Sequence, residues 1–455
     1  MDFLTRLKVA LCSDAATPLV FLGNFEVEDR WAQGEPGLPR YSLRTAAAVV
    51  NRMDEFAMLL AGPGDHVVLK EEPDADFLAY LADLGIALPS LLCVRGQNPA
   101  RVVTEDALAD SALLERLREL GRGGARLLPH GVSALEERLA AAGGIAVAGS
   151  PAAICKAVNS KIYSRLIADE LGLRQPDGWT CASLPEWDAA VSRALAVLRD
   201  GGRIVVKDAF GVSGKGILVI DDERILRSLD RKLRARADRT GDDRLTLLIE
   251  RWVAKRTDLN YQVTVGRDGT VRFDFVKEAI TTNAVHKGHR FPADLSPTQH
   301  DELRAAGEAI GRRLAADGYC GVAGIDALAG ADDRLFPVIE INARNNMSTY
   351  QTRLQEAFVP SDRLLAARQY PLRLGARLPF KRLRAALDGI LLTAAAGAGV
   401  LVHNFATVNA AASGDAEPFD GRLYALLVSD TPAGLNALDA ELTNRLTRLA
   451  EGTRA

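Results

Sequence analysis

Residues 338–346, VIEINARNN, set three polar side chains into an otherwise apolar stretch. Glu340, Asn342 and Arg344 alternate with Ile341 and Ala343. Extended backbone turns successive side chains to opposite faces, so the spacing predicts a strand with its polar groups on one face and its apolar groups on the other. A buried strand seldom carries three polar groups without partners. The alternation therefore calls for a sheet packed on one side and facing a ligand on the other. A carboxylate and an amide oxygen two residues apart suit a hard cation such as Mg²⁺, which takes oxygen ligands. An Arg next in the row can grip a phosphoryl or carboxylate group with its planar fork. Upstream, Asp326 in GIDAL offers a second carboxylate on what reads as the neighbouring strand.

A second feature is VVKDAFGVSGKGILVI, residues 205–220. It resembles a phosphate loop but has the wrong spacing for a Walker loop, which needs four residues between its first Gly and Gly-Lys, then Ser or Thr, then a helix. Here Val212 and Ser213 alone separate Gly211 from Gly214-Lys215, Gly216 stands where Ser or Thr is needed, and a strand follows. The pattern predicts a Gly loop slung between two strands, a movable cover with Ser213, Gly214 and Lys215 at its tip.

Lysines surround this loop. Lys207 ends the apolar run IVVK, Lys277 lies in FDFVKEAI with Phe273 and Phe275 expected on its face, and Lys161 opens a helix. Singly, each could be a surface lysine lying over its own apolar stem. Together with a Gly loop and a carboxylate pair they read as a polyphosphate clamp. The stretch LLIERWV reads as a strand running into a connection between subdomains. There, backbone groups near Glu250 and Val253 could meet a purine edge, with Ile249, Trp252 and Val253 against the ring and Asp258 in reach of ribose hydroxyls. The segment TTNAVHKGHRF, residues 281–291, reads as a substrate loop: Arg290 could bind a carboxylate, and His286 or His289 could accept a proton.

The expected fold is mixed α/β and α+β. Strands and amphipathic helices alternate over residues 1–150, which implies a parallel, doubly wound domain. Two hairpin-rich subdomains with a hinge follow over 151–365, and a small α/β unit over 366–455, introduced by the basic, Pro-punctuated linker RQYPLRLGARLPFKRLRAAL. The 455 residues carry a net charge of −3, with no basic face for nucleic acid. No apolar run is long enough to span a membrane. Five scattered cysteines without a CxxC pair suggest reduced thiols and a cytoplasmic location.

The ordered set resembles the ATP-grasp superfamily: Lys161 in NSKIYSRLIADELGL, Lys207 before the Gly loop, IERWV, Lys277, Asp326 and EINAR, over about residues 150–355. The leader, core and tail layout resembles the pheganomycin-type peptide ligases. The resemblance implies two α+β subdomains holding ATP beneath a lid, with Asp326, Glu340 and Asn342 on Mg²⁺. It implies ATP contacts at Lys161, Lys207, Ser213, Gly214, Lys215, Glu250, Trp252, Val253, Asp258 and Lys277. It also implies ADP-forming carboxylate–amine ligation through an acyl phosphate, joining a small-molecule carboxylate to an amine or peptide in natural-product biosynthesis, and it leaves room for a homodimer. Some relatives that make D-alanyl dipeptides carry an Arg two residues before the metal-binding Asp; here Gly324 stands there, so Arg344, Arg290 or Arg353 would steady the oxyanion. A small-molecule kinase and a nucleotide-sensing protein are the alternatives on the same scaffold. A kinase would release a stable phosphorylated product, and a sensor would not need the Asp326, Glu340 and Asn342 set.

Overall fold

The computed structural model describes residues 1–38, 45–211, 216–282, 285–359, 363–394, 397–412 and 417–453. The tips of the Gly loop, Ser213, Gly214 and Lys215, and the side chain of His286 lie outside the described residues.

Short apolar runs early in the chain form β1 (Leu19–Leu22), β2 (His66–Leu69), β3 (Ser90–Cys93), β4 (Arg126–Pro129) and β5 (Ala146–Val147). They assemble in the order β3-β2-β1-β4-β5, every pair parallel. The chain winds outward from β1 to β3 and returns on the other side at β4. The strand order therefore reverses between β1 and β4, and parallel sheets open a crevice at the carboxyl ends of such a pair. Between β1 and β2 run a helix Thr45–Asn51 and a 3₁₀ segment Met53–Leu59.

The middle of the chain forms a four-stranded sheet of β6 (Gly178–Ser183), β7 (Ile204–Asp208), β8 (Ile217–Ile220) and β9 (Arg244–Arg251), in the order β6-β9-β7-β8. Strands β7 and β8 are antiparallel and flank the Gly loop. One face of this sheet, with Ile204, Val206, Leu247 and Ile249, packs against helices through Trp187, Leu226 and Leu229. Residues 252–254 then cross to the second sheet.

That sheet has eight strands: β10 (Lys255–Val265), β11 (Val271–Thr282), β12 (Val285–Phe291), β13 (Gly321–Gly330), β14 (Leu335–Asn342), β15 (Leu364–Leu374), β16 (Gly399–Asn404) and β17 (Phe419–Ser429). Their order is β14-β13-β10-β11-β12-β15-β17-β16. Leu259, Tyr261, Val263 and Ile325 face the helix Pro297–Ala316 through its buried Leu303, Ile310 and Leu314. Ser296 and Gln299 cap that helix reciprocally.

Three readings of the sequence change here. The boundary drawn at 365/366 falls inside β15, and β15–β17 extend the central sheet instead of building a separate unit. The stretch taken for a linker begins as the end of β15 and closes as the helix Phe380–Ala386. Its Pro371 pairs with Arg422 of β17, while β12 borders only residues 365–368, so the missing N–H costs no ladder bond on that side. The supposed substrate loop 281–291 is largely strand: β12 lies between β11 and β15. A Cβ on Gly288 would fall 1.8 Å from the carbonyl oxygen of Ala367, which explains why glycine sits at this close approach.

Candidate functional site

Register lines up the polar groups. Glu340 of β14 lies opposite Asp326 of β13, Asp326 opposite Asn260 of β10, and Asn260 opposite Lys277 of β11. One row thus crosses four strands on the face turned away from the helix Pro297–Ala316. Next along the sheet come Asn342, Gly324, Gln262 and Phe275. Asn260 Nδ2 donates to Asp326 Oδ1 at 2.8 Å, and Asn342 Nδ2 to Asp326 Oδ2 at 3.2 Å. Burial, with the charge of Glu340 next to it, pushes the Asp326 carboxyl up to about 7.

Lys161 meets this row from the side. Ser160 caps the helix Lys161–Glu170, which places Lys161 at its first position. The buried Lys161 Nζ donates to Glu340 Oε1 and to the carbonyl of Gly211, each at 2.7 Å. One ammonium therefore joins a row carboxylate to the base of the Gly loop.

On the four-stranded sheet, Val205 pairs with Glu250 and Lys207 with Leu248. Period two puts these four on the face opposite Ile204, Val206, Leu247 and Ile249. Lys207 Nζ binds Glu250 Oε2, and Arg165 Nη1 reaches Glu250 Oε1 at 3.2 Å while also donating to the Pro176 carbonyl. The Glu250 carboxylate is occupied by two cations, so a purine would meet backbone at this point and not this side chain.

Other expected site residues are placed differently. Lys277 is 0% exposed. Its Nζ donates to the Ser348 carbonyl (3.3 Å) and Gln351 Oε1 (3.0 Å), and burial pushes it down to about 7. The segment 345–351 closes over it, so Lys277 does not reach a phosphate in this arrangement. Phe275 stacks under its ammonium at 4.6 Å, but Phe273 lies on the other face, because β11 slips one residue against β10 at Asp274. Arg290 is the larger correction. It pairs in register with Glu278, one residue past Lys277, and so points to the helix side of the sheet, away from Asp326. His289, opposite Ala279, is buried on the site side. Arg353 donates to the carbonyls of Ala61 and Ala87 and pins the helix Thr352–Phe358 to the N-terminal domain. Trp252 is half-buried: its backbone N–H goes to the Arg203 carbonyl and its ring lies 5.4 Å from the Arg203 guanidinium. Val253 lies half-buried in the crossing between the sheets. Asp258, two residues from Asn260 on the same face, holds Lys255 and the Thr281 hydroxyl.

Arg344 belongs to the site but its fork is occupied. Nε donates to Glu28 Oε1 (2.7 Å), Nη2 to Asn342 Oδ1 (2.9 Å) and Nη1 to the Asn345 carbonyl (3.0 Å). The next residues dock in the crevice between β1 and β4: Asn345 N donates to the His130 carbonyl, and Tyr350 Oη meets His130 Nδ1 at 3.0 Å. Glu28, Arg165, Asn260, Asn346 and Ser348 were missed from the sequence. Asn260 was legible, since Asp258, Asn260 and Gln262 alternate with Leu259, Tyr261 and Val263. Asn346 explains Gly324: a Cβ there would fall 2.4 Å from Asn346 Nδ2, so the Asn346 amide fills the space beside the row.

A pre-ATP-grasp domain model matches residues 53–145, and a carbamoyl-phosphate synthase L chain ATP-binding domain model matches residues 168–353. The chain belongs to the ATP-grasp superfamily. This ATP-grasp protein is similar to the [butirosin acyl-carrier protein]–L-glutamate ligase of Niallia circulans, 27% identical over 327 residues, 71% of each chain. In fold it is similar to an N5-carboxyaminoimidazole ribonucleotide synthetase solved with ADP, with TM-score 0.52, 12% identity, and coverage of 97% of this chain and 98% of that one. It is also similar to the biotin carboxylase domain of the Hydrogenobacter thermophilus 2-oxoglutarate carboxylase solved with MgADP and bicarbonate, with TM-score 0.53, 15% identity, and coverage of 93% and 89%.

The ATP-grasp donor set suits a divalent cation. Mg²⁺ uses one or two carboxylates together with substrate phosphates, not an all-protein cage. Asp326 and Glu340 supply two carboxylates on adjacent strands, and Asn342 adds an amide oxygen. Among the described residues, no three His, Cys, Asp or Glu side chains gather into a closed cage. Among the described residues, no helix is long and apolar enough to cross a membrane.

Proposed function

We propose that this protein is an ATP-dependent carboxylate–amine ligase that forms an amide bond through an acyl phosphate and releases ADP and phosphate. The observation that carries the reading is the row Glu340, Asp326 and Asn260 in direct register, with the Lys161 ammonium tying it to the base of the Gly loop. A carboxylate row near a lysine and a Gly loop binds a nucleotide triphosphate with its cation, and the similar glutamate ligase supports amide formation as the reaction.

Asp326, Glu340 and Asn342 would hold Mg²⁺, which when bound would neutralise charge on the transferring phosphoryl group. Lys161 and Lys207 then exchange Glu340 and Glu250 for phosphate oxygens. Ser213, Gly214 and Lys215 of the lid, and the 250–253 crossing, supply the remaining nucleotide contacts, with Asp258 toward the ribose. A substrate carboxylate oxygen attacks the γ-phosphorus, the bond to the β-γ bridging oxygen breaks, and ADP leaves. An amine nitrogen attacks the acyl carbon, its proton passes to a base or water, and phosphate departs. The reaction needs no covalent protein nucleophile. Its task is to align the partners, stabilise developing charge and keep water from the acyl phosphate. The substrates are a carboxylate, free or carrier-bound, and an amine or peptide, lodged where 345–351 meets the β1/β4 crevice.

The deciding experiment incubates the purified protein with Mg-ATP and pools of amino acids, peptides and acyl-carrier proteins. Phosphate release that requires both a carboxylate and an amine, with a mass gain matching one amide, is expected. ATP bound but hydrolysed with no pool would refute the ligase reading, and a stable phosphorylated product would make it a kinase.

A further inference from the structure

Glu28 belongs to the N-terminal domain, on the short helix Val27–Trp31 that directly follows the β1 loop, yet it ends inside the ATP-grasp site. Its Oε1 lies 2.7 Å from Arg344 Nε and 2.5 Å from Arg344 Nη2. The two side chains are 10% and 13% exposed, so little water screens the pair. Arg344 Nη2 continues to Asn342 Oδ1 at 2.9 Å, and Asn342 Nδ2 to Asp326 Oδ2 at 3.2 Å. Glu28, Arg344, Asn342 and Asp326 thus form one unbroken chain from the N-terminal domain to the carboxylate row.

Two consequences follow from elementary chemistry. A guanidinium only donates hydrogen bonds. A fixed Arg344 therefore takes one lone pair of the Asn342 amide oxygen and leaves that oxygen's second lone pair for a cation. A guanidinium is also permanently charged. Left alone beside the row it would repel a divalent cation, and the Glu28 carboxylate cancels that charge.

We propose that Glu28 is a positioning residue for the cation-binding set, acting through Arg344: it fixes the Asn342 amide and neutralises the guanidinium beside the row. The proposal rests on the reading of Asp326, Glu340 and Asn342 as that set. It also gives the N-terminal domain a part in nucleotide–metal binding that its place outside the 168–353 ATP-binding match does not suggest.

The test is calorimetric titration of the full chain with ADP, with and without Mn²⁺, for wild type, Asp326→Ala, Glu28→Ala, Arg344→Ala and the Glu28→Ala/Arg344→Ala double variant. Wild type binds ADP more tightly with Mn²⁺, and Asp326→Ala loses that gain. Glu28→Ala weakens the Mn²⁺-dependent binding by about tenfold, the factor that about 1.4 kcal/mol represents. The double variant binds better than Glu28→Ala alone, because the uncompensated charge is gone. A residue serving only the fold would weaken ADP binding equally with and without Mn²⁺. If Glu28→Ala does not fold, Glu28→Gln keeps an acceptor for Arg344 while removing the charge and is expected to lose about threefold to tenfold. Mn²⁺-dependent binding lost in Asp326→Ala but unchanged in the Glu28 variants overturns the Glu28 proposal alone, as does a double variant weaker than Glu28→Ala. No Mn²⁺ effect in wild type, or none lost in Asp326→Ala, overturns the reading of the site and the proposal with it.

Discussion

Replacing Gly324 by Ala is a sharp test of how the site is packed. The new Cβ would lie 2.4 Å from Asn346 Nδ2, 2.9 Å from its Cγ and 3.4 Å from its Oδ1. Nonbonded heavy atoms rest at about 3.5–4.0 Å, so the overlap approaches 1 Å or more. Asn346 has little room to retreat. It is 7% exposed, its amide is bound to Ser348 Oγ, and its backbone N–H goes to Thr349 Oγ1. Ser348 Oγ in turn lies 2.8 Å from Asn260 Oδ1, which ties the displacement to the carboxylate row. Overpacking costs about 1–3 kcal/mol, and a lost buried hydrogen bond adds about 1 kcal/mol. The variant should therefore lose about 2–4 kcal/mol, read as a lower urea midpoint at unchanged m-value. Asn346→Ala in the same chain removes the obstructing amide and should recover most of the loss. A Gly324→Ala protein as stable as wild type, or a double variant that recovers nothing, would show that Asn346 does not fill this space. The same geometry means that an Arg at 324, as in the dipeptide-forming relatives, cannot be introduced here without expelling Asn346.

Glu340→Ala should abolish ATP turnover in the phosphate-release assay while the far-ultraviolet circular dichroism stays that of wild type; unchanged turnover would remove Glu340 from the site. Lys207→Met leaves Glu250 buried with only Arg165 as counter-ion, so stability should fall by about 3 kcal/mol and ADP affinity should fall with it. Adding Glu250→Gln should recover stability but not affinity, and recovery of both would remove Lys207 from the nucleotide. His403, with Nε2 3.2 Å from the Tyr350 carbonyl, is held down to about 3 by burial. An unfolded His takes up its proton near 6.5, so below that pH the unfolded chain gains a proton the folded chain refuses. Stability should fall by about 1.4 kcal/mol per pH unit from 6.5 toward 3 on this account alone. Compared with His403→Phe, wild type should lose about 2 kcal/mol more between pH 7 and pH 5, and parallel pH profiles would count against it.

Much of the architecture can be read from pattern. Period-two alternation in VIEINAR and in DLNYQV assigns side chains to faces without any knowledge of neighbours, because it follows from the pleat alone. The same rule places Lys207 and Glu250 on a face apart from Ile204, Val206, Leu247 and Ile249. Where the pleat is interrupted the rule fails: at Asp274 the extra residue sends Phe273 to the far side. Composition misled at β15, where Arg and Pro disguised a strand whose pairing partner lies about fifty residues downstream in β17.

The strand pattern, the Gly loop between strands, and the carboxylate and lysine types available for chemistry are legible from pattern, since they depend on residues close together in the chain. Which of them meet follows from pairing and packing between distant segments. Register set Glu340 against Asp326 and Asn260, turned Arg290 to the opposite face, and buried Lys277 beneath Ser348 and Gln351. Domain packing brought Glu28 to Arg344 across 316 residues of sequence. Such contacts arise from burial and pairing between distant segments, and local periodicity carries no record of them.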